Sequence, residues 1–367
     1  MHRMLFGRLF AGALVLATAM PVYAESATDV SPICTTVRTE ASKDSLLSRT
    51  SYCQKTDPLV YVAIDDQNNE IGRVAIDAYA YSDNPSNQLA WPVTFRFRTR
   101  VLSGNPGGLM IKPFVECGSN CTVAPNAGVP LALGGLSNEL SVMITPNMGS
   151  SNPLEFSPTL EYRVAKSGDS FENGASMNPY AGAGYIPNIR CDVGLVKSNS
   201  QGCIYPDAPA VLRTIVATNP DVDESAIHIR EAQAAGRPGK FIPMGDGTIF
   251  PAFESRSLTR TRDATMRQAN RKDSKAQCVV KYGAVTGQCT FTGDPDETPT
   301  DCDCDEYPFA STEQGASRDS EVSVKRIDAS DNRRAGAFLG NFYLNQRVLD
   351  QEKFYVDVGS QQSAAKR

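Results

Sequence analysis

Cys304-Asp305-Glu306-Tyr307-Pro308-Phe309-Ala310-Ser311-Thr312 sets two adjacent carboxylates beside a cysteine and ahead of a stiff aromatic–proline step. Its surroundings are acidic too. Eight Asp and Glu residues (Asp294, Asp296, Glu297, Asp301, Asp303, Asp305, Glu306, Glu313) stand here with no Lys or Arg between them. Such a cluster repels itself unless a cation or a basic partner neutralises it, and oxygen donors are what hard divalent ions take. Asp301-x-Asp303-x-Asp305 mimics the opening of an EF-hand loop. The sixth position, however, is Glu306 instead of Gly and the twelfth is Thr312 instead of Glu, which argues against that motif.

Working outward, the C-terminal part reads strand, strand, helix, strand, over Glu306–Thr312, Glu321–Ile327, Arg333–Leu349 and Lys353–Val358. Within the helix, Ala335, Phe338, Leu339, Phe342 and Leu349 form an apolar stripe at helical spacing, with Arg334, Asn341 and Asn345 along one edge. Asp331-Asn332 falls where a helix N-cap belongs, so Asn332 is open to two readings, cap or metal ligand. Upstream, Arg256 to Lys281 carries eight bases against Asp263 and Asp273. Arg260, Arg262, Arg267 and Arg271 from this stretch, with Arg333 and Arg334 further on, are candidate phosphate contacts. The bland alternative is a solvated helix that pairs with the acidic segment. No aromatic residue lies between Arg256 and Ser274, so base stacking is not indicated and binding should tolerate any sequence.

The Cys-Asp-Glu-Tyr-Pro run resembles the core motif of the NucA/NucB deoxyribonuclease family, the secreted non-specific and DNA-entry nucleases. Ser330-Asp331-Asn332-Arg333-Arg334-Ala335-Gly336 and Gly340-Asn341-Phe342-Tyr343 look like its second and third landmarks. The resemblance covers about residues 190 to 358. It implies hydrolysis of DNA, with RNA as the alternative, by a divalent cation such as Mg²⁺ or Mn²⁺. It also implies catalytic carboxylates at Asp305 and Glu306, and metal ligands among Asn341, Asn332 and Glu313. Two strands followed by a helix, with carboxylates on the first strand and an amide on the helix, resemble a ββα-metal nuclease unit. Relatives end the first strand with Thr-x-Glu-Gly; this chain reads Thr312-Glu313-Gln314-Gly315, which puts the family's Glu on Gln314. Ala226-Ile227-His228-Ile229 resembles a helix upstream in the family. His228 there is read first as a packing or hydrogen-bonding anchor.

Composition bounds the other chemistries. His228 is the only histidine beyond the first 24 residues, so a zinc enzyme with two or three His ligands cannot be built from that part of the chain. A Ser-His-Asp hydrolase would have to use His228, and no Gly-x-Ser-x-Gly turn supports one. The formal charge is −5, so only local patches can serve nucleic acid.

Residues 1–24 read as an export signal: Arg3 and Arg8, an apolar run from Leu9 to Met20, then Val22-Tyr23-Ala24 before a cleavage site. A secreted or periplasmic chain follows, with no membrane segment. All ten cysteines lie beyond this signal, and in an oxidising compartment they read as disulfides. Their grouping pairs Cys34 with Cys53, Cys117 with Cys121 and Cys191 with Cys203. The last four invite Cys278–Cys304 and Cys289–Cys302, although spacing alone leaves that connectivity open.

The expected class is α+β. An antiparallel β-sandwich-like accessory domain (25–166) precedes a linker (167–189), a small ββα-type nuclease domain (190–360) and a tail (361–367). The accessory region alternates with period two, as in Val93, Phe95, Phe97 and Thr99 against Thr94, Arg96, Arg98 and Arg100, and holds no catalytic constellation. A surface or protein partner is expected for it. The rival function is a non-catalytic exported binding protein on a degenerate nuclease scaffold.

Overall fold

The computed structural model describes residues 29–34, 45–172, 175–177, 186–245, 248–284, 288–289, 300–319 and 322–359. The expected signal 1–24, the tail 361–367, most of the expected linker's second half and the acids Asp294, Asp296 and Glu297 lie outside them. The chain is mixed α+β, with mostly antiparallel sheets and three α-helices among the described residues.

The first part contains β1 (Ser51–Lys55), β2 (Leu59–Ile64), β3 (Glu70–Asp83), β4 (Trp91–Gly104), β5 (Leu109–Glu116), β6 (Cys121–Val123), β7 (Val129–Pro130), β8 (Leu140–Pro146), β9 (Leu154–Phe156), β10 (Thr159–Lys166) and β11 (Ala175–Met177), then β12 (Ile189–Val193) and β13 (Gln201–Ile204). One sheet runs β1-β3-β4-β8-β6 with β2 on β3, a second β11-β10-β5-β7, and a third β13-β12-β9. Period-two alternation puts Trp91, Val93, Phe95 and Phe97 of β4 on a buried face. There Phe95 and Phe97 meet Tyr162 of β10 edge-on, at 6.1 and 5.6 Å between ring centroids.

The packing changes later in the chain than the composition indicates. Gly, Asn and Ser after residue 167 mark a loop, but β12 returns to pair with β9, and Cys191, Cys203 and Tyr205 join the first core. Tyr205 accepts a hydrogen bond from Trp91 Nε1 at 2.7 Å and packs edge-on against Tyr52 and Trp91. The second core begins at Ala210; the apolar side chains of residues 189–205 join the β-rich part, while Arg190 and Asp192 reach across to the C-terminal part.

The second part contains β14 (Ala210–Leu212), α1 (Asp223–Ala234), β15 (Leu258–Thr259), α2 (Ala264–Tyr282), β16 (Gln288–Cys289), β17 (Thr300–Tyr307), β18 (Ser323–Asp328), α3 (Ala329–Asn345) and β19 (Lys353–Val356). Its strands form β14-β19-β15, with β14 and β19 parallel, and β16-β17-β18. Val222, Ile229, Leu339, Phe342, Phe354 and Val356 are among its core residues.

Two boundaries differ from the sequence reading. The first strand lies at 300–307 instead of 306–312, because Pro308 has no N–H to continue the ladder. The helix starts at Ala329 instead of Arg333, because Asp328 is its cap and accepts from Ser330 N and Asp331 N. Asn332 therefore sits in the first helical turn and caps nothing. All ten cysteines pair as expected, including Cys278–Cys304 and Cys289–Cys302.

A buried ionic seam joins the two parts. Arg347, in the left-handed region with φ 44°, turns the chain out of α3 towards β19. Its Nε donates to Asp192 Oδ2 at 2.7 Å, with both side chains shut off from solvent. Beside it, Glu352 takes Arg49 at 2.6 Å and Arg190 at 3.0 Å. Removing one partner of a pair this buried strands the other charge and costs about 3–5 kcal/mol. Arg347→Met and Asp192→Asn should each lower urea-unfolding stability by that order, whereas the wild-type midpoint and slope in either variant would show that the seam holds nothing together.

Candidate active site

Neighbouring side chains on a strand point to opposite faces. On β17 the odd-numbered residues meet α1 and α3, where Asp303 faces Arg333, Asp305 faces His228 and Tyr307 faces Gln233. The even-numbered residues meet α2, through the Cys278–Cys304 bridge and through the attraction between Glu306 and Arg271. At 303–307 β17 pairs with β18 on one side, and β16 reaches only to its first two residues. Among the described residues no strand pairs with the other edge there, and a cavity of about 960 Å³ lies between α2 and α3, lined by both Asp305 and Glu306.

The Asp305 side is held from α1. His228 is 1% exposed, and an ionised carboxylate can only accept, so its Nδ1–H donates to Asp305 Oδ2 at 2.7 Å. Its Nε2 hydrogen-bonds Ser323 Oγ on β18 at 2.9 Å. The start of α1 has no side-chain cap of its own. Asp331 of α3 supplies one, accepting from Glu224 N at 3.0 Å and Ser225 N at 3.1 Å, while Glu224 accepts from Asp328 N in return. Burial pushes the Asp331 and Glu224 carboxyls above their ordinary range. The far end of α1 is tied through Gln233 Nε2, which donates to Tyr307 Oη at 3.0 Å.

Glu306 has the opposite surroundings. Burial first, and then the Asp305 charge, push its carboxyl up to about 8, although the Ala310 backbone and Arg271 pull the other way. The two carboxylates thus share one cavity, and the Arg271 charge opposes but does not cancel the upward push on Glu306. Asn270 of α2 shapes the loop that follows. Its Nδ2 donates to Ala310 O at 2.9 Å and Thr312 O at 3.1 Å, and its Oδ1 accepts from Ser317 N. Gly315 lies so close to Asn270 that an added Cβ would stand 2.3 Å from its Nδ2, so only glycine fits.

The basic residues separate into two sets. Arg267, Arg271 and Lys275 recur every four positions, so one face of α2 presents all three to the cavity. Arg267 Nε has no hydrogen-bond partner among the described residues. Arg333 also lines the cavity, 3.4 Å from Asp303. Arg260 touches the cavity wall but is 8% exposed, stacks 4.3 Å over Tyr343 and donates to the backbone oxygens of Val348 and Val196. It supports the wall and is not a free phosphate contact. Arg262 donates to Leu195 O and Arg334 pairs with Asp221 at 2.8 Å, and neither lines the cavity.

The expected metal ligands divide in the same way. Asn332 lines the cavity. Asn341 is exposed and does not, because α3 turns residues 332, 335, 336, 339, 340 and 343 towards the site and 341 falls between those rows. Glu313 pairs with Arg318 and accepts from Gln351 Nε2 at 2.9 Å, outside the cavity. Gln314 holds Thr259 N at 3.0 Å, a structural use of the family's Glu position. No group of three or more His, Cys, Asp or Glu residues among the described residues could hold a metal by itself. The cavity set of Asp305, Glu306 and Asn332 still offers oxygen donors of the type a hard divalent cation takes. A cation held there would relieve the repulsion between the adjacent carboxylates that helps push Glu306 up.

The sequence singles out neither Asn270 nor a tie from Asp331 to α1, and Lys275 stands in it as one base of the Arg256–Lys281 stretch. Lys275 was legible, since it continues the four-residue spacing of Arg267 and Arg271. The roles of Asn270 and Asp331 depend on contacts with distant segments that no local pattern signals.

No curated protein and no solved structure matches the chain. Residues 254–357, which supply α2, β17, β18 and α3, match the model of the family Deoxyribonuclease NucA/NucB.

Proposed function

We propose that the C-terminal part is a divalent-metal-dependent endonuclease that hydrolyses DNA phosphodiester bonds with little sequence specificity. The observation that carries this reading is one cavity in which adjacent carboxylates, Asp305 and Glu306, face a cationic stripe, Arg267, Arg271 and Lys275. Phosphodiester hydrolysis needs both halves: a base for the attacking water, and cations to hold a polyanion against nearby carboxylates.

The stripe spans eight residues of helix, roughly 12 Å, enough to contact more than one phosphate of a strand. Asp305, with one oxygen fixed by His228, and Asn332 would hold the cation. When bound, that cation polarises the phosphoryl group and steadies the leaving oxygen. Glu306 is then the remaining acceptor, taking the proton from water as the water oxygen bonds to phosphorus and a P–O ester bond breaks, the leaving alkoxide taking a proton from solvent. The absence of any aromatic residue between Arg256 and Ser274 fits low sequence specificity.

Export to an oxidising compartment fits this reading, since five disulfides include two that anchor β17. No helix among the described residues is long and apolar enough to cross a membrane.

Purified residues 25–367 should degrade plasmid DNA with Mg²⁺ or Mn²⁺ and stop when a chelator is added. Folded protein that cleaves under no divalent ion would support the non-catalytic binding protein instead. Neutralising Arg267, Arg271 and Lys275 together should weaken DNA binding and flatten its salt dependence by up to ~0.9 log unit of slope per lost phosphate contact. Neutralising Arg262 and Arg334 should leave that slope alone, and equal losses from both sets would count against the α2 stripe.

A further inference from the structure

We propose that His228 is a positioning residue for Asp305, an assignment that rests on the nuclease reading of the cavity. His228 does not line the cavity, so it cannot touch substrate. It does bridge the two strands beneath it. In the β17–β18 register Asp305 is opposite Lys325 and Tyr307 opposite Ser323, so Asp305 and Ser323 sit on the same sheet face, one diagonal apart. The imidazole spans that diagonal, with Nδ1 on Asp305 and Nε2 on Ser323.

Packing alone does not require this arrangement, because a leucine could fill an interior helical position without two directed hydrogen bonds. The ring itself is held by α1, which is anchored at its start by Asp331 and at its end by Gln233. Asp305 therefore meets a donor whose place is set by three elements, and its carboxylate is confined to one orientation at the cavity edge. A displacement on the order of 1 Å at such a group can cost roughly 10²-fold in rate.

The experiment compares steady-state plasmid cleavage with Mg²⁺ by the full mature chain and by His228→Leu, His228→Asn and Ser323→Ala, with folding followed by circular dichroism. His228→Leu should lose roughly 10- to 100-fold in kcat with KM for DNA unchanged. His228→Asn puts an amide N–H near the position of Nδ1–H and should recover most of that loss. Ser323→Ala removes only the second bond and should cost a smaller part of kcat, which keeps the test open if His228→Leu fails to fold. Wild-type kcat in folded His228→Leu, or in Ser323→Ala where the Leu variant does not fold, would overturn the assignment, as would equal losses in the Leu and Asn variants. If the wild type itself does not cleave, the nuclease reading fails and Mn²⁺ affinity becomes the readout. There, weaker binding by His228→Leu with recovery in His228→Asn supports the positioning role, and equal affinities contradict it.

Discussion

Two carboxylates in successive positions of a strand cannot face the same neighbour, since the pleat sends them to opposite sides. Asp305 and Glu306 reach one cavity only because one edge of β17 is unpaired there among the described residues and a helix closes each of its faces. Their environments then differ for physical reasons. Asp305 meets the fixed donor His228, whereas Glu306 meets desolvation and the charge of its neighbour. Much of the second part serves to hold β17 in that position. The Cys278–Cys304 bridge ties it to α2, Cys289–Cys302 ties it to β16, and the Asp331 and Glu224 contacts lock α1 to α3 around it.

The β-rich part is joined to this assembly through polar contacts more than through a shared apolar core. Asp192, Arg190 and Arg49 from one side meet Arg347 and Glu352 from the other, whereas Phe250 and Ile249 of the later chain pack on the first core. Burying such charges favours one geometry, because any other leaves a guanidinium or carboxylate unpaired. The contact also reaches the cavity wall. Val196 O, between β12 and β13, accepts from Arg260, which stacks on Tyr343, and Tyr343 bonds Ser311 at 2.9 Å.

Local information was enough for several features. The strand–strand–helix–strand order follows from hydrophobic periodicity and the first three cysteine pairs from their grouping, whereas spacing leaves the connectivity of Cys278, Cys289, Cys302 and Cys304 open. Asp305 and Glu306 stand out because their run is unusual in composition. Placement failed where a residue's partner lies far along the chain. Arg260 and Arg262 read as basic surface, yet each is spent on a backbone oxygen of the 195–196 turn. Asn341 stands on the right helix, but a rotation of about 100° per residue decides which side chains reach the cavity. The Gly- and Ser-rich stretch after residue 167 marks a loop, and only the pairing of β12 with β9 shows that the chain next returns to the β-rich part.

The central claim is that the two carboxylates do chemistry while α2 holds the strand. The direct measurement is single-turnover cleavage and DNA affinity on the same preparation of Glu306→Gln. The substitution keeps the shape and removes the base, and above about pH 8, where the carboxyl is ionised, it also removes a charge that repels phosphate. Cleavage should fall by roughly 10²- to 10⁴-fold while affinity holds or rises. Unchanged cleavage, or a parallel loss of affinity and turnover, would contradict the account.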